Sequence, residues 1–246
     1  MSQPETLADL MTRLERARKR FQQERDYIRL TLFGGGFIMV GATLSGLPVL
    51  TVLLLGLIAM PYAFTWYNLP KIRLQNGFCN EVLPFLLQPY GEWRYALAGP
   101  DFPHQLVFAS GFVAPGQRLR AVDVITGEHN GTPVVLASIS LWDKPFLGLI
   151  PRKVPVFSGW AAVMRPSGLP PVGTAGDLPD AWQQRFNALG VRWAVADRSL
   201  LLWVEGPLDP FEELAQLNES LAEPAPYEAA KALLAERMAL VDRALS

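Results

Sequence analysis

The feature that most constrains this chain is a stretch of 39 residues, Leu30 to Asn68, that contains no charged side chain. One crossing of the hydrocarbon core of a bilayer takes about 20 apolar residues, so this length fits two crossings and a tight turn. Gly46 can end the first helix, and Pro48 can begin the second because its position needs no amide donor. We therefore predict a transmembrane helical hairpin over 28–67.

The charges that flank this stretch predict its orientation. Basic residues gather before and after it, whereas the turn carries none. By the positive-inside rule both termini are expected in the cytoplasm. A signal peptide does not fit, because the apolar stretch is too long and has no clear small-x-small cleavage site. The flanking basic residues are Arg13, Arg16, Arg18, Lys19, Arg20, Arg25, Arg29, Lys71 and Arg73.

Small residues recur four apart in both predicted membrane helices. Gly41 precedes Ser45 by four, and Ala59 precedes Ala63 by four. This spacing favours close approach of two helices, although small residues are also simply common in membrane helices. The sequence leaves both interpretations open.

Residues 1–27 are predicted to form an amphipathic helix before the hairpin. Its apolar face can pack on other protein, pair in a coiled coil, or lie on anionic lipid. Acidic neighbours such as Glu15 and Glu24 dilute the attraction to lipid, so packing against protein is favoured. The candidate interaction residues on this face are Leu7, Leu10, Leu14 and Phe21.

Residues 70–225 are predicted to form a cytoplasmic α+β domain with a mainly antiparallel sheet, and 226–246 a terminal amphipathic helix. Asn130-Gly131 lies between two β-branched runs and predicts a type I′ hairpin, because both residues tolerate positive φ. Strands are predicted at 93–97, 118–126, 133–142, 154–164, 191–195 and 200–205. Further helices are predicted at 72–88, 180–189 and 209–222.

Composition and motifs exclude several classes of function. The chain has a net charge of −1, which does not favour nucleic-acid binding. Its single cysteine, Cys79, excludes an intrachain disulfide framework and a cysteine-cluster metal site. Neither a phosphate-binding glycine loop nor an HExxH motif occurs. We therefore predict no cofactor and no metal.

One acid–imidazole group needs weighing as a catalytic site. Glu128 and His129 precede the predicted hairpin turn, with Asp123 upstream. Adjacent strand residues point to opposite faces, and a solvated tip is a poor place for acid–base catalysis. We interpret the group as part of a turn, with hydrolysis kept as an alternative.

The loop 143–155 combines apolar and basic side chains, as expected of a segment that dips into a membrane interface. Folding over the domain's own core is the favoured interpretation. Its candidate interaction residues are Phe146, Leu147, Ile150, Arg152 and Lys153.

The runs DVITGEHNGTPVVLASISLW, VFSGWAAVM and DPFEEL resemble a bacterial family of uncharacterised membrane proteins. The resemblance rests chiefly on Asp123, Gly127, Gly131, Phe157 and Gly159. It implies a multi-pass protein of the bacterial inner membrane, with a charged amino-terminal helix, a two-helix hairpin and a cytoplasmic domain. It implies no reaction and no catalytic residue.

Three functions follow from these patterns. The first is a non-enzymatic membrane-anchored module that acts as a scaffold, assembly or regulatory partner of another membrane protein, or associates with a second copy of itself. The second is a membrane-surface domain of pleckstrin type that binds lipid or a small ligand. The third is a hydrolase that uses Asp123, Glu128 and His129.

Overall fold

The chain folds as α+β, with two long apolar helices followed by a six-stranded antiparallel sheet. The computed structural model describes residues 6–46, 48–97, 102–114, 116–143, 156–170, 177–206, 211, 220–221 and 224–246. The chain forms two compact units. The first comprises 1–78 with 215–226, and the second comprises 79–214 with 227–246.

The first unit is built on helices α1, Leu7–Leu44, and α2, Val49–Leu87. Thr6 and Asp9 form a capping box at the start of α1, in which each side chain bonds the other residue's backbone N–H. Gly46, with φ +94°, follows the C-cap of α1, so the predicted glycine stop is confirmed.

Each long helix joins two segments that the sequence analysis treated as separate. The predicted boundaries at residues 27 and 67 fall inside α1 and α2. The chain between Arg25 and Leu30 changes from charged to apolar without a helix breaker, so the backbone continues. Pro70 removes one amide donor from α2, and a proline within a long helix is tolerated when neighbouring groups satisfy the backbone. Near it, the side-chain amide of Asn68 donates to the carbonyl oxygen of Phe64 at 2.8 Å.

The second unit contains an open sheet in the order β1-β2-β3-β4-β6-β5, with every neighbouring pair antiparallel. Among the described strands, β1 and β5 lie at the two edges of this sheet. The strands are β1 Trp93–Ala96, β2 Arg118–His129, β3 Thr132–Trp142, β4 Phe157–Met164, β5 Arg192–Ala196 and β6 Ser199–Glu205. Further helices within the described ranges are a 3₁₀ turn Gln88–Tyr90, α3 His104–Ala109, α4 Asp180–Asn187 and α5 Ala225–Leu245.

Two tight turns set the register of the sheet. Asn130 and Gly131 have φ of 50° and 75°, which confirms the type I′ interpretation of the β2–β3 hairpin. Asp197 and Arg198, with φ of 46° and 57°, make the equivalent turn between β5 and β6. Turns of this type match the right-handed twist of the two strands that they connect.

One face of the sheet packs against the segment that contains α3. Ile139 of β3, Trp203 of β6 and Val107 of α3 belong to the same buried cluster. Gly159 of β4 lies against β6 so closely that a β-carbon there would overlap the carbonyl oxygen of Val204. This close approach requires a glycine at position 159, so the Phe157–Gly159 segment has a structural role.

One short helix was not predicted. It is α3, which begins at His104 and which its polar and proline-rich surroundings obscure. The predicted strand start at 154 and most of the predicted helix 209–222 lie outside the described residues. The helix predicted at 72–88 is the end of α2, and its Cys79 is fully buried, as expected.

Candidate functional site

The three side chains of the hydrolase hypothesis are not brought together. Strand β2 persists through His129, so Glu128 and His129 point to opposite faces. Glu128 is exposed, whereas His129 forms a hydrogen bond through Nε2 with Oδ1 of Asp242 on α5. Asp123 is fully buried and contacts a different set of residues. A substrate atom at one position would therefore not contact the side chains of Asp123, Glu128 and His129 together.

Asp123 lies in a β-bulge. The register between β2 and β3 shifts between Val122 and Ile125, which leaves one extra residue in β2. Asp123 has φ +52°, and its N–H donates to the carbonyl oxygen of Leu97 at 3.0 Å. Aspartate tolerates this left-handed conformation better than the β-branched residues on either side of it. The bulge therefore explains why a carboxylate interrupts an apolar run.

The carboxylate of Asp123 belongs to a buried polar cluster. The hydroxyl of Tyr95 donates to its Oδ1 at 2.7 Å. Burial, followed by the charges of Asp123 and Cys79, raises the pKa of Tyr95, so the phenol stays a neutral donor. Arg237 of α5 is 2% exposed, and burial lowers its pKa to about 10 while the charge of Asp123 opposes that shift. The negative charge of Asp123 therefore favours the charged form of the buried Arg237.

Aromatic rings complete the surroundings of Arg237. Its guanidinium carbon lies 5.5 Å from the ring centre of Trp160 and 4.7 Å from that of Phe211. Such cation–π contacts partly replace lost hydration. A cavity of about 80 Å³ reaches Arg237 beside Glu236. It has room for a few water molecules but not for a typical metabolite.

The sequence analysis missed Tyr95 and Arg237. A signal for Arg237 existed, since it lies on the apolar stripe of α5 with Ala230, Leu234 and Val241 at helical spacing. A single basic residue on an apolar stripe needs a buried partner. The isolated acid of β2 was the matching signal, but sequence alone does not bring residues 123 and 237 together.

The apolar face of α1 is largely covered within the chain. Leu10 and Leu14 are each 3% exposed, whereas Leu7 and Phe21 are half-buried. Beside them Arg18 donates two hydrogen bonds to Glu15, at 2.8 and 2.7 Å. Oε2 of Glu15 also accepts from the backbone N–H of Leu221 at 2.9 Å, and the Arg18 hydrogen bonds lower the pKa of Glu15. This part of α1 therefore contacts its own chain at Leu221, and the role of its apolar face in contacting another protein stays a prediction.

The other candidate interaction residues, Phe146, Leu147, Ile150, Arg152 and Lys153, lie outside the described residues. Their role in contacting a membrane or a protein stays a prediction. The described loop residue that precedes them is Asp143, which accepts a hydrogen bond from Gln117 at 3.2 Å.

The hairpin helices expose large apolar side chains. Phe37 is 78% exposed, Leu44 84% and Leu57 72%, which excludes the usual burial of a core helix. Both α1 and α2 are long and apolar enough to cross a membrane. Monomeric soluble proteins seldom expose contiguous apolar surface on this scale. This surface is the strongest functional feature of the first unit.

Neither a metal site among the described residues nor a similar protein indicates a function for this chain. Within the described ranges no three His, Cys, Asp or Glu side chains are grouped so as to hold a metal ion. No family model matches the chain, and neither a curated protein nor a solved structure matches it. The resemblance to a bacterial membrane-protein family stays a prediction. Function must therefore be argued from the surfaces of the chain itself.

Proposed function

We propose that this chain is a non-enzymatic module anchored in the bacterial cytoplasmic membrane, where it acts as a scaffold, assembly factor or regulatory partner of another membrane protein. The observation that carries the proposal is the exposed apolar surface of α1 and α2. In water each fully exposed leucine or phenylalanine forgoes about 1.5–3 kcal/mol of burial free energy. In a bilayer that cost disappears.

The charges around the hairpin support a topology with both termini in the cytoplasm. The basic residues cluster before Leu30 and after Asn68, whereas the turn at Ser45 and Gly46 is uncharged. Two crossings return the chain to the side from which it started. The sheet-containing unit would then face the cytoplasm.

The arrangement of polar groups favours interaction over catalysis. The charge of Asp123 favours the charged form of the buried Arg237, and the cavity beside Arg237 is small. Glu128 and His129 point apart. A sheet domain with a covered face and a membrane anchor is suited to holding a partner at the bilayer surface.

The proposal is tested on the full chain at native abundance. We expect it to stay in the membrane pellet after an alkaline carbonate wash and to require detergent for release. Cross-linking in intact cells followed by purification should then recover a second membrane protein at a reproducible stoichiometry. A chain that is soluble without detergent, or one that is always purified alone, would contradict the proposal.

The hydrolase alternative has a separate test. His129→Ala is expected to rescue any phenotype that follows loss of the gene, because His129 only bridges β2 to Asp242. A catalytic role would instead make the variant inactive while it accumulates at the wild-type level.

A further inference from the structure

The geometry points to a binding site for an anionic glycerophospholipid between α1 and α2, at the cytoplasmic end of the hairpin. This inference rests on the proposed membrane anchoring. It differs from the lipid-surface hypothesis for the cytoplasmic domain, because every residue that forms it belongs to the two long helices. Two adjoining spaces, one polar and one apolar, carry it.

The polar space is a groove of about 650 Å³ between the two helices. Its lining includes two arginines and one glutamate, Arg20, Arg73 and Glu24, and the aromatic residues Tyr27 and Trp66. Nη1 of Arg73 lies 3.2 Å from Oε1 of Glu24, and both side chains are partly exposed. Two arginines and one glutamate give the lining a net charge of about +1. Arg73 can bind a phosphate oxygen in addition to Glu24.

The apolar space is a cleft of about 280 Å³ that adjoins the groove. Ile28 and Trp66 line both spaces, so the two are adjacent. The rest of the cleft is almost entirely hydrocarbon, with Leu32, Ala59 and Ala63 among its walls. Apart from Ile28, its lining residues belong to the uncharged stretch, which matches the depth of an acyl chain rather than that of a headgroup.

The cleft exists because the helices touch on either side of it. Toward the turn, a β-carbon added at Gly56 would lie 3.3 Å from the terminal methyl of Met39, so the helices are close there. At the other end Arg73 and Glu24 bridge them. Between these points the small side chains of Ala59 and Ala63 leave space. Ala59 and Ala63, the two small residues four apart on α2, thus line a cleft. At Gly41 on α1, an added β-carbon would have no atom within 4 Å.

The two spaces are spaced like the parts of one phospholipid. Glu24 and Leu32 are eight residues apart on α1, or about 12 Å along the helix. Arg20 and Arg73 lie outside the uncharged stretch, at the level where headgroups meet water, and Tyr27 and Trp66 mark the interface between. Basic pockets between membrane helices on the cytoplasmic side favour anionic headgroups. The phosphate would meet the guanidinium groups while one acyl chain fills the cleft.

The test measures lipid binding to the full-length protein in detergent by native mass spectrometry. The probes are dioleoylphosphatidylglycerol and dioleoylphosphatidylcholine, which share acyl chains and differ in charge. The wild type is expected to retain the anionic lipid preferentially. The double variant Arg20→Gln/Arg73→Gln should lose that preference, by about five-fold for each arginine.

A matched control separates the groove from general charge. Arg29 is exposed and lies nine residues after Arg20, on the opposite side of the helix. Arg29→Gln removes one positive charge, as each of the single variants Arg20→Gln and Arg73→Gln does, but it lies outside the groove lining and should keep the anionic preference. Equal effects of the groove and control variants would overturn the inference, even if the chain remains a membrane protein.

A second pair of variants distinguishes a lipid from a free anion. Ala63→Phe fills the cleft and is expected to weaken retention of phosphatidylglycerol several-fold, whereas Met60→Phe adds bulk outside the cleft and should have little effect. If the arginine variants alone matter, the groove binds an anion and the lipid assignment is wrong. If the wild type needs no detergent, the membrane proposal itself fails. Circular dichroism of each variant confirms that the helices are intact.

Discussion

At the scale of single residues, the most informative side chain is Asp123. It lies in a bulge, accepts a hydrogen bond from Tyr95 and favours the charged form of the buried Arg237, which makes it a structural anion. Removing one partner of a buried ion pair is costly because the other charge remains in an apolar environment. Such residues need no substrate to explain them.

We predict that Asp123→Asn destabilises the folded protein by about 1–3 kcal/mol, because it removes the charge that accepts from Tyr95 and that favours the charged form of Arg237. Asparagine keeps the size and the tolerance of positive φ, so the effect reports the charge. Thermal unfolding of the detergent-solubilised chain, followed by tryptophan fluorescence, measures it. Asp197→Asn, at an exposed turn with φ +46°, is the control and should change little. The double variant with Arg237→Met should recover part of the loss.

We predict that Gly159→Ala lowers the free energy of unfolding by about 1–3 kcal/mol. The added methyl group would meet the backbone of Val204, which cannot rotate away. Gly206→Ala is the control, since a β-carbon there has no atom within 4 Å. The same unfolding experiment compares the two variants. Equal stability of both would show that β4 and β6 are not as close as described.

At the scale of secondary structure, α1 combines two roles in one helix. Its first half contacts its own chain through Glu15 and Leu221, and its second half exposes apolar side chains. Amphipathic periodicity predicted the first role and the absence of charge predicted the second. The continuity of the helix was not predicted, because a change of composition alone was taken as a boundary.

We predict that the contribution of Glu15 to stability depends on pH. The folded protein lowers the pKa of Glu15 below its ordinary value of 4.5, so its stabilisation is present above that pH and is lost as the pH falls through the folded pKa. Glu15→Gln should therefore be about 1–3 kcal/mol less stable than wild type at pH 7, with the difference shrinking in acid.

Helix circular dichroism during thermal unfolding between pH 7 and pH 3 measures this effect. Asp26→Asn, at an exposed position of the same helix, should give a small difference. A gap between Glu15→Gln and wild type that stays constant through pH 3 would contradict the role assigned to the Arg18 hydrogen bonds.

At the scale of the whole molecule, the two compact units differ in what they leave exposed. The sheet of the second unit contributes to a buried cluster with α3, whereas the helices of the first unit keep apolar side chains at the surface. A single chain with both properties is expected where one part meets lipid and another meets water.

We predict that the hairpin turn and the carboxyl terminus lie on opposite sides of the membrane. Ser45→Cys should react with a membrane-impermeant thiol reagent in intact spheroplasts, whereas Ser246→Cys should react only after permeabilisation. The native Cys79 is fully buried and supplies the unlabelled background. Labelling of Ser246→Cys in intact spheroplasts would contradict the proposed orientation.

The sequence by itself determined the features that depend on local chemistry. An uncharged stretch of 39 residues fixes two long apolar helices, and Asn130-Gly131 fixes a hairpin, because backbone conformation and hydrophobicity act over a few neighbouring residues. Only the tertiary structure decided that Asp123 faces Tyr95 and Arg237, and that Arg20 and Arg73 flank a groove beside an apolar cleft. Those residues are far apart in sequence, and their meeting depends on a bulge, a strand order and the packing of two helices. No local pattern carries that information.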